Sequence, residues 1–170
     1  MKNKMTKIPY GKNVYDNNEI NAVIKTLKKS TQMGSSVESF EQKISKLFSK
    51  NFGLMVNSGS SALTLALKVM DFKKDSEIIT PCLNFGTAVS SIMLSNLKPI
   101  FVDCKVETLQ IDVKKIEEKI TKKTKALLIP NLIGNLPNWA QIRKLANKHK
   151  LMVIEDSADT LGGKIKNKPT

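Results

Sequence analysis

The hydrophobic positions at the start of the chain recur with the spacing of amphipathic helices. After Asp16, apolar residues repeat every three to four positions, and a second such run covers residues 40–48. This spacing brings the apolar side chains onto one face of each helix. The two predicted helices flank a loop over residues 30–36. Their apolar faces consist of Ile20, Val23, Ile24 and Leu27 in the first helix, and Phe40, Ile44, Leu47 and Phe48 in the second.

From residue 52 the pattern changes to short apolar runs that alternate with longer helical segments. The longer segments predict helices at residues 62–70, 86–95, 113–120 and 138–149. Uninterrupted apolar runs, such as residues 126–129, suit strands that are covered on both faces. We therefore expect an α/β fold of three layers, a mostly parallel sheet with helices on both faces. The short runs predict strands at residues 52–56, 77–80, 99–103, 126–129 and 151–155.

This pattern divides the chain into two parts. Residues 1–36 are expected to be an N-terminal helical and loop segment, and residues 37–170 an α/β domain. Ligands of such domains gather at the carboxyl ends of the strands, so the second part is the candidate binding domain. Residues 162–170 follow a strand and a turn, with no helix to cover that side of the sheet. We interpret the domain as incomplete at its C-terminus and the chain as a fragment of a longer one.

The composition indicates in which cellular compartment the protein is expected and which classes of protein are excluded. A chain of 170 residues with 41% hydrophobic residues can bury one good core. It has no apolar run of about 18 residues and no N-terminal signal pattern, so we expect a cytoplasmic protein without a membrane partner. The two cysteines, Cys82 and Cys104, have no CxxC spacing and no histidine cluster nearby. We interpret them as buried thiols at strand ends.

The net charge of +13 raises nucleic acid as a partner. However, only Arg143 among the 28 basic residues is an arginine, and the lysines are spread along the whole chain. Without aromatic interleaving or one charged helix face, we interpret them as a solvated surface and expect no nucleic-acid partner. The excess charge would also attract an anionic substrate such as a phosphorylated sugar. His149, the only histidine, is expected at an exposed helix end.

Small hydroxyl residues and one glycine link a predicted strand to an apolar helix at residues 56–62. The turn reads Val-Asn-Ser-Gly-Ser-Ser-Ala. A helix that begins here would present free backbone N–H groups and the positive end of its dipole, which together form an anion site. A serine N-cap without a ligand explains the same residues equally well. No Gly-Lys-Ser/Thr follows, so the turn is not a Walker loop.

Carboxylates cluster at the end of the last predicted strand, in the run Ile-Glu-Asp-Ser-Ala-Asp at residues 154–159. A parallel sheet places Asp156 beside the ligand crevice, where a buried carboxylate needs a positive partner. A protonated pyridine nitrogen is one such partner, while metal ligation and a solvated turn remain equal alternatives. A third segment, residues 80–85, sets Phe85 just past another strand end. Taken alone, such an aromatic ring belongs to the core.

The three segments, in this order and spacing, resemble the DegT/DnrJ/EryC1/StrS family of sugar aminotransferases. The resemblance covers residues 38–170. It includes Phe-Glu at 40–41, Ser-Gly-Ser-Ser-Ala-Leu at 58–63, Glu-Ile-Ile-Thr-Pro at 77–81, Pro-Ile-Phe-Val-Asp at 99–103, residues 121–126 and Glu-Asp-Ser-Ala at 155–158. It implies the large domain of the fold type I transferases, which use pyridoxal 5'-phosphate or pyridoxamine 5'-phosphate.

By that resemblance, Ser60 and Ser61 hold the cofactor phosphate, and Gly59 permits the tight turn. Phe85 falls where the family stacks an aromatic ring on the cofactor. Asp156 falls where a carboxylate pairs with the pyridine nitrogen, which keeps the ring protonated and able to draw electrons from a carbanion. Asp159 is included among the cofactor-binding residues, and no metal is expected.

Two positions depart from the aminotransferase pattern. Aminotransferases of the family carry glutamine or histidine at the position of Asp159, and often histidine at that of Asn131. Asp159 together with residues 134–136 resembles the dehydratase branch, which removes a hydroxyl from a keto sugar and commonly replaces the catalytic lysine with histidine. That lysine or histidine is expected beyond Thr170, so aminotransfer and 3-dehydration both stay open.

The resemblance also implies a substrate and an assembly. The substrate would be a nucleotide-linked keto-deoxysugar of surface polysaccharide or deoxysugar biosynthesis, and the full-length enzyme would be a homodimer. Residues 1–170 alone are expected to show little or no turnover. The alternative from another class is a non-catalytic remnant that binds the cofactor for stability or regulation.

Overall fold

The computed structural model describes residues 11–32 and 34–169. Contacts between residues divide the chain into two units, residues 1–39 and 40–170. The expected division into residues 1–36 and 37–170 remains a prediction about domains. No helix within the described ranges is long and apolar enough to cross a membrane.

The first unit contains the predicted N-terminal helix, α1 (Asn17–Lys29). Asp16 caps it, because its Oδ1 accepts from the N–H of Asn18 at 2.7 Å while the Glu19 Oε2 accepts from the N–H of Asp16 at 2.8 Å. The predicted start after Asp16 is therefore confirmed. No side chain of α1 is buried, and the apolar face formed by Ile20, Val23, Ile24 and Leu27 is 43–63% exposed.

Helix α2 (Ser35–Leu47) begins in the first unit and ends in the second. The apolar run that follows was expected to be a strand, and this prediction is wrong. Residues 52–56 form no strand, and Phe52 and Leu54 are 90% and 73% exposed. A strand must pair its backbone N–H and C=O groups. Within the described residues, the segment finds no neighbouring strand and is held instead by a bond from the Met55 N–H to the Glu41 carboxylate at 2.7 Å.

The second unit is built on a four-stranded sheet of order β2-β1-β3-β4, in which every pairing is parallel. The strands are β1 (Glu77–Pro81), β2 (Lys98–Val102), β3 (Thr124–Pro130) and β4 (Met152–Asp156). The helices are α3 (Gly59–Val69), α4 (Gly86–Leu94), α5 (Val113–Ile116) and α6 (Trp139–His149). Single 3₁₀ turns lie at Glu117–Lys119 and Leu132–Gly134, and a short hairpin, β5 (Lys164–Ile165) with β6 (Lys168–Pro169), closes the described chain.

Side chains alternate along each strand and form two apolar layers. On one face of the sheet, Ile78, Leu128 and Ile154 pack with residues of α3 and α4. On the other face, Ile79 and Leu127 pack with residues of α5 and α6. Because each central strand is apolar on both faces, its sequence shows an uninterrupted apolar run. The expected three-layer α/β architecture with a parallel sheet is confirmed.

Two expectations about single residues are corrected. Cys82 is exposed and Cys104 is half-buried, so they are not buried thiols. Both lie just past the ends of β1 and β2, where the chain has left the covered part of the sheet. His149 is the last residue of α6, as expected, but it is half-buried rather than exposed. Its Nε2 lies 2.7 Å from the Glu117 Oε1, and the Lys148 Nζ lies 2.6 Å from the same oxygen.

This ion cluster predicts a pH-dependent contribution to stability. Lys148, and then His149, lower the pKa of Glu117 below its ordinary value. A lowered carboxyl pKa stabilises the fold above the unfolded-state value and loses that effect as the pH falls through the folded-state value. We expect Glu117→Gln to lower the melting temperature at pH 7 by about 2 °C or less, since the site is exposed.

Thermal unfolding at pH 7 and pH 3 measures this effect. At pH 3 the difference between the wild type and Glu117→Gln should shrink. The matched control is Glu118→Gln, because Glu118 forms none of the ion pairs found among the described residues. If the difference in melting temperature were the same at both pH values, the ion cluster would not contribute to the pH dependence of stability.

Candidate functional site

The candidate site lies where the carboxyl ends of the parallel strands meet the starts of α3 and α4. Strand alternation assigns residues at this edge to a face of the sheet. Asp156 follows Ile154 by two residues and Thr80 follows Ile78 by two, so both share the face covered by α3 and α4. Ligands of parallel α/β sheets bind in a crevice at the carboxyl ends of the strands. On this face, the ends of β1 and β4 line that crevice.

The turn before α3 is a capped helix start. Ser58 is the N-cap, and its Oγ accepts from the Ser61 N–H at 3.1 Å and donates to the Ser61 Oγ at 3.0 Å. Ser60 is exposed, and its hydroxyl contacts no polar partner among the described side chains and backbone groups. The start of α3 therefore offers N–H groups and one free hydroxyl at the positive end of its dipole.

Gly59 lies in a backbone conformation that is open to any residue. It is the first residue of α3, and only Gly134 and Gly162 among the described glycines have a positive φ. No positive φ therefore requires glycine at the start of α3. A Cβ at this position would meet no atom within 4 Å, so the surface beside the start of α3 is open.

Phe85 stands at the N-cap position of α4 and is 70% exposed. Asn84 fixes the turn, because its Oδ1 accepts from the Phe85 N–H at 2.8 Å and its Nδ2 donates to the buried Thr80 Oγ1 at 2.9 Å. An exposed aromatic ring held by a buried anchor can stack on a planar ligand. The segment taken alone suggests that Phe85 lies in the core, but the structure shows its ring at the surface.

Glu155 and Asp156 point to opposite faces of the sheet. Glu155 faces α6, where its Oε1 accepts from the Asn131 Nδ2 at 3.0 Å and its Oε2 lies 3.9 Å from the Arg143 guanidinium. Asp156 is half-buried, and its Oδ1 accepts from the Ala158 N–H at 3.1 Å. The two neighbouring carboxylates therefore have separate tasks, because one is engaged by α6 and the other faces the crevice.

Asn131 is fully buried and joins β3 to β4 behind Asp156. Its Nδ2 donates to Glu155 and to the Ser157 Oγ, each at 3.0 Å, and its Oδ1 accepts from the Trp139 Nε1 at 2.7 Å. Its backbone N–H donates to the Asp156 carbonyl at 2.9 Å. Asn131 thus binds the residues on both sides of Asp156, and every donor of its amide is satisfied.

Asp159 is exposed and binds the turn that follows β3. Its Oδ2 accepts from the Ile133 N–H at 3.1 Å, in the turn after β3 where Ile133 and Gly134 have positive φ values of 58° and 76°. A Cβ at Gly134 would approach the Asp159 carbonyl to 3.5 Å. Asp159 therefore stabilises a turn whose backbone lies in the left-handed region. In the described chain, no three His, Cys, Asp or Glu side chains form a metal-binding group.

Comparison with known proteins agrees with this geometry. The model of the DegT/DnrJ/EryC1/StrS aminotransferase family matches residues 13–170. The chain belongs to this family.

Two members of the family show how much of a full sequence the chain spans. It is 32% identical to GDP-4-keto-6-deoxy-D-mannose 3-dehydratase of Escherichia coli O55:H7 over 96% of its own length and 44% of that protein. It is 38% identical to GDP-perosamine synthase of Escherichia coli O157:H7 over 79% of its length and 37% of that protein. The chain therefore spans less than half the length of these relatives.

A solved structure extends the comparison to three dimensions. The Escherichia coli GDP-4-keto-6-deoxy-D-mannose-3-dehydratase with bound hydrated PLP superposes with a TM-score of 0.91 and 31% identity, covering 98% of this chain and 44% of that one. The fold is thus that of the PLP-dependent fold type I enzymes.

The structure gives a place to each residue expected to bind the cofactor. The start of α3 with Ser60 and Ser61, the Phe85 ring and Asp156 lie at one edge and on one face of the sheet. Asp159 instead binds the turn after β3. Their contacts with a cofactor remain predictions.

The sequence alone did not reveal the roles of Asn84, Trp139 and Arg143. Ser58 carried a signal, since a serine before an apolar helix is a common N-cap. The Arg143 guanidinium lies 5.8 Å from the centre of the Trp139 ring, and this pair packs beside Asn131 and Glu155. The Trp139 and Arg143 contacts form because α6 packs against the ends of β3 and β4, and the local sequence pattern does not show this packing.

The buried amide of Asn131 predicts a large effect on stability. Asn131→Ala would leave the Trp139 N–H and the Glu155 carboxylate without their partner, and we expect a loss of about 2 to 4 kcal/mol in the free energy of unfolding. Urea unfolding followed by far-UV circular dichroism measures the change. The control is Asn147→Ala on the exposed surface of α6, which should change the free energy by about 0.5 kcal/mol or less. Equal effects of the two substitutions would contradict the role given to Asn131.

Proposed function

We propose that this chain carries the cofactor-binding part of a PLP-dependent enzyme that acts on a nucleotide-linked keto-deoxysugar. One observation carries the proposal: an anion-binding helix start, an exposed aromatic ring and a half-buried carboxylate share one face at the strand ends. These are the groups that the phosphate, the ring plane and the pyridine nitrogen of PLP require. Relatives named for GDP-sugars support the substrate class.

The residues present fit the cofactor. The Ser60 hydroxyl is exposed and Gly59 leaves open space beside it, so a phosphate can approach the N–H groups at the start of α3. The Phe85 ring is exposed on the side where α4 begins. Asp156 has one oxygen engaged by Ala158, which leaves the other for a pyridine N–H.

The chain contributes binding and electrostatics to the chemistry. When bound, the cofactor supplies an electron sink for a carbanion at the substrate carbon. Asp156 holds a proton on the ring nitrogen, because a carboxylate beside a pyridinium favours its charged form. Asn131 and its partners hold Asp156 in place from the far face of the sheet, and Phe85 orients the ring. Whether the sugar is aminated or loses its 3-hydroxyl depends on the base, which these residues do not identify.

Two finer expectations belong to the same proposal. The complete enzyme is a homodimer, and it works in the cytoplasm, where nucleotide-linked sugars are made. The apolar face of α1, which is 43–63% exposed, supports an association with further protein surface.

The phosphate site is tested with pyridoxamine 5'-phosphate, which binds without a covalent bond to the protein. Ser60→Ala combined with Ser61→Ala should weaken its binding by about 1 to 3 kcal/mol, since hydroxyl donors are lost and backbone donors remain. Isothermal titration calorimetry measures the affinity, and inorganic phosphate should compete in the wild type. Ser90→Ala, on the exposed surface of α4, is the control. Unchanged affinity in the double variant would move the phosphate elsewhere.

The role of Asp156 is tested by the protonation of the bound ring. Asp156→Asn keeps the shape but removes the charge, so the ring nitrogen should lose its proton at a lower pH than in the wild type, by about 1 unit or more. Nitrogen NMR of isotope-labelled pyridoxamine 5'-phosphate measures this titration without requiring turnover. In a protein that turns over, the rate should fall far more than the affinity.

Controls separate the alternatives for Asp156. Asp71→Asn, on the exposed surface after α3, should leave the titration of the ring unchanged. If Asp156 bound a metal, chelators would reproduce the effect of Asp156→Asn, and if its role were only structural, stability alone would change. If the bound ring keeps its proton and the cofactor binds normally, but the protein shows no turnover, the result would favour the alternative that the chain is a non-catalytic remnant.

A further inference from the structure

Three oxygen atoms join α4 to the first turn of α3. The Ser91 Oγ of α4 lies 3.0 Å from the Thr64 Oγ1 and 3.5 Å from the Ser60 carbonyl oxygen, and the Thr64 Oγ1 lies 3.0 Å from that same carbonyl. Ser91 is only 2% exposed. The contact is therefore a buried polar link between the two helices whose starts form the candidate site.

The link holds whichever way the two hydroxyl protons point. Each hydroxyl carries one proton and can also accept. If Thr64 donates to the Ser60 carbonyl, Ser91 can donate to Thr64. If Thr64 donates to Ser91 instead, Ser91 can donate to the Ser60 carbonyl. In both arrangements a hydrogen bond connects Ser91 with α3.

The surrounding contact between α3 and α4 is apolar. Ser91 shares a face of α4 with Ala88 and Ile92, which are fully buried and belong to the same apolar cluster as Leu67 of α3. Apolar burial has no preferred direction, so it holds two helices together without fixing their positions along each other. A hydrogen bond requires a particular distance and angle. The Ser91 link therefore restricts sliding of α4 along α3.

Each helix in this link carries a group of the candidate site. Ser60, whose carbonyl takes part in the link, also carries the exposed hydroxyl at the start of α3. Phe85 stands at the N-cap of α4, the helix that contains Ser91. Asn84 ties the Phe85 backbone to Thr80 of β1, and Ser91 ties the same helix to α3. The place of the Phe85 ring relative to Ser60 thus depends on Ser91.

We propose that Ser91 is a positioning residue that sets the spacing between the phosphate-binding start of α3 and the Phe85 ring. The inference rests on the proposed function, in which one ligand binds both groups. A ligand whose phosphate and ring are covalently joined needs both groups at a matching distance, whereas a separate phosphate or a separate ring does not. Loss of the Ser91 hydroxyl should therefore weaken binding of the joined ligand and spare its parts.

Ser91→Ala tests this with three ligands: pyridoxamine 5'-phosphate, pyridoxamine without the phosphate, and inorganic phosphate. We expect the dissociation constant of pyridoxamine 5'-phosphate to rise about threefold to tenfold, as for the loss of one hydrogen bond. The dissociation constants of the other two should change by about twofold or less. Isothermal titration calorimetry measures the first ligand, and backbone amide shifts of residues 59–62 and 85–87 measure the two weaker ones.

Ser95→Ala is the matched control. Ser95 lies one turn beyond Ser91, at the C-cap of α4, and its Oγ is buried without a hydrogen-bond partner among the described residues. The substitution removes the same atoms from the same side of the helix, but no bond to α3 is lost. The affinities for all three ligands should stay within about twofold of the wild type.

Replacement of Thr64 tests the link from the other helix, and it also serves if Ser91→Ala lowers the stability of the fold. Thr64→Val removes the hydroxyl with little change of shape, so it should weaken pyridoxamine 5'-phosphate selectively as well. Thr64→Ser keeps the hydroxyl and should bind as the wild type does. When Thr64→Val is combined with Ser91→Ala, the loss should be smaller than the sum of the single losses, because both act through one contact.

The outcomes separate this inference from the proposed function. If the wild type does not bind pyridoxamine 5'-phosphate in competition with phosphate, the proposed function is wrong and the role of Ser91 is wrong with it. If the wild type binds and Ser91→Ala binds equally well, or loses affinity for inorganic phosphate to the same extent, the positioning role alone is wrong. An equal loss in Ser95→Ala would also contradict it, since that variant keeps the bond to α3.

Discussion

The side chain of Asn131 supplies the constraint on which the candidate site depends. It is fully buried where β3 ends, and its amide binds α6 through Trp139 and β4 through Glu155 and Ser157. A buried amide is costly unless its donors are bonded, so this position admits one arrangement of the surrounding groups. The network therefore sets the distance between the ends of two strands and, with it, the place of Asp156.

The alternation of β4 then divides the chemistry between two faces. Glu155 points to α6, where Asn131 and Arg143 receive its charge, and Asp156 points to the face of α3 and α4. A one-residue slip of β4 would exchange the two carboxylates. The register with β3, in which Pro130 lies beside Asp156, is fixed by the apolar core and by Asn131 together. Stability and function thus depend on the same register.

Much of the fold could be predicted because its cause is local. A continuous apolar run such as residues 126–129 indicates a strand covered on both faces. The structure extends it to Thr124–Pro130, because Thr124 pairs with Glu77 of β1 and Pro130 pairs with Asp156 of β4. The run at residues 52–56 carries a similar signal and forms no strand. The spacing of apolar residues shows which secondary structure a segment can adopt. A strand also requires a neighbouring strand with free backbone hydrogen-bonding groups, and the local sequence does not show whether one is present.

The candidate site was predictable only in part, for the same reason. The sequence places Ser60, Ser61, Phe85 and Asp156 at helix starts and strand ends, which a parallel sheet brings to one edge, whereas their roles toward a cofactor are implied by the family resemblance. Asn131 is different, because its bonds to Glu155 and Ser157 reach residues more than twenty positions away in the sequence. The sequence suggested that both cysteines are buried, yet Cys82 is exposed past the end of β1, where its Sγ lies 3.6 Å from the Asp103 Oδ1. Two parallel neighbouring strands are joined by a crossover connection, usually a helix, so residues in contact across them lie far apart in the sequence. The contacts that position the side chains of such a site therefore cannot be read from the spacing of residues in the sequence.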